Sequence, residues 1–92
     1  MSREVEELLN DLFDEQALKI KEYHDHKSIS NKDLLELYGL YKQGKDGDNN
    51  DGCNFRSFKE KKMWESWNNY KGKTREDCKY LFINKVNDII NN

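Results

Sequence analysis

The sequence predicts an all-α domain built as a bundle of four helices. Three observations carry that prediction. Apolar residues recur at three- and four-residue steps in separate stretches. No stretch alternates apolar and polar residues between hairpin turns. Capping signals and glycines punctuate the periodic stretches. At 92 residues the chain has room for one modest core and not for two, so residues 1–92 read as a single domain. Hydrophobic residues make up 35% and charged residues 37%, with a mean hydropathy of −1.17. That balance predicts a thin core and a well-solvated surface.

Taken in order, the first helix spans Glu4 to about His24, where Val5, Leu8, Leu9, Leu12, Phe13, Ala17 and Ile20 follow the helical period. A second begins at Ser30, because "SNKD" places a hydroxyl cap before an acidic residue at the third helical position. It is expected to run to Gln43 and stop at Gly44. The cluster "GKDGDNNDG" then marks the one long loop. A third helix spans Lys59 to Lys71, with Trp64, Trp67 and Tyr70 on one side and Gly72 as its stop. "TRED" offers another capping box, from Thr74, and the last helix carries Cys78, Leu81, Phe82, Ile83, Val86, Ile89 and Ile90. Four such helices pack as an antiparallel bundle, with the long loop permitting a crossover.

Several functions are disfavoured. No run approaches the roughly 20 apolar residues of a membrane span, and "MSREVEELLNDLF" opens on charges instead of a secretory pattern. Two cysteines, Cys53 and Cys78, predict reduced thiols in a cytosolic setting. A net charge of −2 argues against nucleic-acid binding. "DGDNNDG" invites a calcium reading, yet an EF-hand loop from Asp46 needs glycine where Asp51 stands and glutamate where Ser57 stands. His24 and His26 fall on different sides of a helix and complete no metal site. Trp64 and Trp67, at helical spacing, read as core.

Helix two holds the unusual feature. In "LLELYGLYKQ" the apolar arc covers roughly 220° of the wheel, about twice the stripe of a surface helix. Leu37 and Leu40 point to the bundle, whereas Leu35, Tyr38 and Lys42 form a second face, with Leu34 and Tyr41 between. A lysine inside an apolar arc is costly to bury unpaired. The second face is therefore expected to stay partly open and to suit something both greasy and anionic.

"LLELYGLYKQ", the loop "KDGDNND", "FKEKKMWESWNNYKGKTREDC" and "YLFINKV", in this order and spacing, resemble the acyl-CoA-binding proteins. The resemblance covers Phe13 to Asn87. It implies an up-down-down-up four-helix bundle, with residues 1–12 extending helix one. It also implies a non-enzymatic, cytoplasmic carrier and pool former for medium- to long-chain fatty acyl-CoA, monomeric, without cofactor, metal, nucleic-acid partner or stable membrane insertion. Enzymes that use acyl-CoA are its implied transient partners. By the same resemblance Tyr38, Tyr41, Lys42, Lys21, Lys59 and Phe82 line the ligand site, and Leu34, Leu35 and Met63 contact the acyl chain. The chain departs from the family at Met63, where a lysine is usual, and at Phe82, where a tyrosine is usual. Lys62 is a weaker substitute for that lysine than Lys59. A helical adaptor docking a partner helix on helix two is the alternative reading of the second face.

Overall fold

The computed structural model describes residues 2–92. Four helices form the regular structure among them: α1 (Arg3–His26), α2 (Asn31–Asp46), α3 (Phe58–Asn68) and α4 (Arg75–Asn91). Every helix starts by the same device. The hydroxyls of Ser2, Ser30, Ser57 and Thr74 accept hydrogen bonds from the amides of Val5, Asp33, Glu60 and Asp77 at 3.1–3.2 Å. Each satisfies an amide that has no partner within its helix, a contribution of about 1 kcal/mol.

Two helix ends differ from the sequence reading. α2 does not stop at Gly44 but continues to Asp46, and Gly47 ends it at φ 81°. Gly44 is instead a packing residue, since a Cβ there would lie 3.3 Å from the Phe13 ring. α3 ends at Asn68 and not at Lys71. Beyond it the chain tightens into turns bonded Tyr70 to Trp67, Lys71 to Asn68 and Lys73 to Tyr70, with Gly72 at φ 92°.

The bundle runs up-down-down-up, not in strict antiparallel alternation. α1 and α4 share a direction: Asn10 meets Lys79, Phe13 meets Phe82, and Tyr23 meets the Ile89 region. α2 and α3 also share one, with Asn31 level with Lys59 and Gly39 level with Ser66. The loop between them makes this possible by returning alongside α3. The Trp67 indole donates to the Gly47 carbonyl at 2.9 Å, and the Trp64 indole to the Asp51 carbonyl at 3.1 Å.

The polar residues that resembled a calcium loop have other partners: Asp46, at the end of α2, pairs with Lys42, and Asp48 and Asn49 tie the loop down. Asp48 accepts from Gln43 at 2.9 Å and from the Gly72 amide at 2.8 Å. Buried Asn49 accepts from the Asp51 amide at 2.9 Å and donates to the Trp64 carbonyl. No cluster of metal-ligating side chains occurs among the described residues.

The core joins Phe13 and Ile20 of α1, Ile29 of the first turn, Leu37 and Leu40 of α2, and Cys78, Phe82 and Val86 of α4. Burial pushes the Cys78 thiol up, so it behaves as a small apolar residue. Across the far side of α2 and α4, Lys85 pairs with Asp33 and Glu36, both at 2.8 Å. Among the described residues no helix is long and apolar enough to cross a membrane.

A candidate ligand groove over the second helix

The surplus apolar face of α2 is open to solvent. α1 and α3 both stand beside α2 and flank two grooves, divided by a ridge of Leu34 and Tyr38. One groove, of about 570 Å³, lies between α1 and α2. Ala17, Leu18 and Lys21 form its α1 wall, Tyr38 and Tyr41 its α2 wall, and Phe82 its floor. The other, of about 480 Å³, lies between α2 and α3, lined by Leu34, Leu35, Phe58, Met63, Lys59 and Lys62.

The first groove has a rigid floor. Tyr41 stacks on Phe13 with centroids 5.2 Å apart and planes 15° from parallel. Phe82 meets Phe13 edge-on at 5.1 Å and Tyr41 at 5.7 Å. At 2% exposure Phe82 belongs to the core and offers the groove little more than a ring edge. Such offset and edge contacts contribute about 0.5–1.5 kcal/mol each beyond area burial. Two packed rings, Phe13 and Phe82, thus fix the Tyr41 ring, and α1 places Lys21 on the opposite wall, two helical turns after Phe13.

The second groove opens between helices that approach closely at one point. Ser66 donates to the Leu35 carbonyl, and a Cβ at Gly39 would lie 2.5 Å from the Ser66 carbonyl oxygen. N-terminal to that contact, Leu34 and Leu35 face Met63 and Phe58 across the groove. Lys62 lies over the Phe58 ring at 5.2 Å, which brings it into the same groove as Lys59. The Met63 side chain also borders a third, smaller cavity of about 240 Å³ beside Trp64 and Trp67.

Lys42 is placed differently from the other expected site residues. Its ammonium lies 2.7 Å from Asp46 and 4.7 Å from the centre of the Trp67 ring, and it lines neither groove. The hydrogen bond to Asp46 raises the Lys42 pKa above its ordinary value, and the same bond lowers that of Asp46.

The structure therefore groups Lys21, Leu34, Tyr38, Tyr41 and Phe82 around one groove, and Leu34, Leu35, Tyr38, Lys59 and Met63 around the other. Asp14, Leu18 and Phe58 also line them and were not expected from the sequence. Asp14, Ala17, Leu18 and Lys21 share one side of α1 at three- and four-residue spacing, a signal present in the sequence. Phe58 had none, because a helix's first residue has little periodicity to reveal its direction.

A family model described as Acyl CoA binding protein matches residues 10–86. The chain is 42% identical over 76 residues to the acyl-CoA-binding protein of Dictyostelium discoideum, a match covering 77% of this chain and 83% of that one. It is 37% identical over 86 residues to the acyl-CoA-binding protein of Saccharomyces cerevisiae, covering 90% of this chain and 94% of the other. Its fold superposes on the crystal structure of Oryza sativa Acyl-CoA-Binding Protein 2 with a TM-score of 0.82 at 34% identity, covering 90% and 91% of the two chains. With the four-helix architecture and the matched stretch both spanning the grooves, the chain belongs to the acyl-CoA-binding protein family.

Proposed function

We propose that this protein binds medium- to long-chain acyl-CoA esters in the paired grooves over α2 and serves as a non-enzymatic carrier and pool former for them. The observation that carries the reading is the ridge of Leu34 and Tyr38, which joins an aromatic groove with a cation to an apolar groove with two cations. An acyl-CoA has matching parts: a flat adenine, several phosphate charges and an alkyl chain.

In this reading the adenine lies against Tyr38 and Tyr41, rings that offer a stacking surface. Lys21 and Lys59 in the grooves supply charge-assisted bonds to phosphate, and Lys42, outside both grooves, joins them only by sharing or leaving Asp46. The alkyl chain lies along Leu34, Leu35 and Met63, gaining about 0.8 kcal/mol for each methylene removed from water. Phe82 contributes by holding Tyr41, not by a polar contact. The carrier is a cytoplasmic monomer without cofactor, and enzymes that consume or produce acyl-CoA are its transient partners.

Calorimetry with palmitoyl-CoA, free CoA and palmitate in parallel tests the reading. The thioester is expected to bind tightly, with a negative heat-capacity change from burial of its chain, and both fragments far more weakly. Absence of binding heat with acyl-CoA of any chain length would sink it.

A further inference from the structure

Lys42 is the cation of the "YGLYKQ" stretch, and its ammonium already has a partner. Asp46, one turn further along α2, holds it at 2.7 Å while the Trp67 ring lies 4.7 Å beneath. The two side chains are 30% and 42% exposed, so the pair is in contact with water and can exchange partners. Asp46 stands in the last turn of α2, where the helix dipole disfavours an anion. Its backbone carbonyl, not its carboxylate, receives the Arg75 guanidinium at 3.3 Å. The carboxylate's ion-pair partner is therefore Lys42.

Lys45 and Arg75 also stand near enough to help lower the Asp46 pKa, but the carboxylate's ion pair is with Lys42. The cavity beside Trp67 and Tyr38 is lined by Asp51, Glu60 and Met63, and no lysine or arginine lines it. A phosphate arriving next to Tyr38 on this side meets Lys42 only in competition with Asp46, and meets two further carboxylates.

We propose that Asp46 is a specificity-determining positioning residue: with the adenine on Tyr38, one turn before Lys42, the phosphate on the adenine-bearing ribose is the one that reaches Lys42, and Asp46 competes with it and so weakens the preference for thioesters that carry it. The inference rests on the acyl-CoA reading and on Lys42 as its phosphate contact. It makes the pair a built-in attenuator: the ligand gains the lysine only by displacing or sharing it.

Calorimetry on the whole chain with palmitoyl-CoA and palmitoyl-3′-dephospho-CoA tests this. Asp46→Asn is expected to tighten palmitoyl-CoA by about two- to fivefold, the range of an exposed ion pair, and to steepen its salt dependence. Binding of the dephospho thioester should not move, and Asp46→Glu, which keeps the charge, should stay at the wild-type values. An unchanged ratio of the two Kd values in Asp46→Asn overturns the proposal, whether both tighten, both weaken or neither moves. If the wild type binds neither thioester, the ligand reading falls, and this inference with it.

Discussion

Replacing Gly39 by alanine tests how the groove between α2 and α3 is built. The new Cβ would sit 2.5 Å from the Ser66 carbonyl oxygen and 2.8 Å from both the Ser66 hydroxyl and the Tyr70 ring, about 0.9 Å and 0.6 Å short of ordinary contact at 3.4 Å. The closest of these atoms is backbone and cannot rotate away, so the two helices must separate. Overpacking of this kind costs about 1–3 kcal/mol, and losing the Ser66 to Leu35 hydrogen bond adds about 1 kcal/mol. Alanine's better helix propensity returns about 1 kcal/mol. The net expectation is a loss of about 1–3 kcal/mol, read as a fall in Tm of about 4–24 °C for a domain of this size. Gly52→Ala is the control, because nothing lies within 4 Å of a Cβ there, and it should stay within about 0.5 kcal/mol. Thermal melts followed by circular dichroism measure both. A Gly39→Ala variant as stable as the wild type would refute the close-contact argument.

Lys42→Ala should weaken palmitoyl-CoA binding about ten- to hundredfold, as expected for loss of a charge-assisted bond. Its stability should fall by less than about 1 kcal/mol, because the Lys42 and Asp46 side chains are both partly in water; titration calorimetry and melting read the two effects. Asn49→Ala removes a buried side chain that bonds the Asp51 amide and the Trp64 carbonyl, and should cost about 1–3 kcal/mol with a red shift of tryptophan emission. Acid should destabilise the fold. Asp48 is held below its ordinary pKa by the Gly72 amide and then Gln43, and Asp33 by Lys85. A depressed folded-state pKa gives stability that is present above the unfolded value of about 4 and lost as pH falls through the folded value. Tm is thus expected to hold near neutrality and drop below about pH 4, and Asp48→Ala should show a shallower drop; an equal slope in that variant would count against the role of Asp48.

The four helices were legible because their caps and their apolar period are local. Ser30 and Thr74 announce helix starts through side-chain oxygens that reach amides three residues away. The second face of α2 was legible for the same reason, as a wheel needs only the residues of one helix: Leu37 and Leu40 are buried, and Leu34, Leu35, Tyr38, Tyr41 and Lys42 are half-buried. The helix ends were less so. Gly44 looks like a stop until the Phe13 ring is beside it, and nothing within α2 foretells that ring.

What the sequence by itself determined is the set of amphipathic helices, the family and the chemistry gathered on one face of α2. Only the tertiary structure decided what that chemistry meets. In the loop, Asp48 turned inward to Gln43 and Gly72 and Asn49 to the α3 backbone, and Phe82 sank to the floor behind Tyr41. Lys42 and Asp46 share a helix at a spacing that permits pairing, yet it took Trp67, brought from α3 to lie beneath the ammonium, to make a defined site of the pair. Local interactions fix which residues share a face. Contacts between helices, made by residues far apart in the chain, fix which of those residues remain free for a ligand.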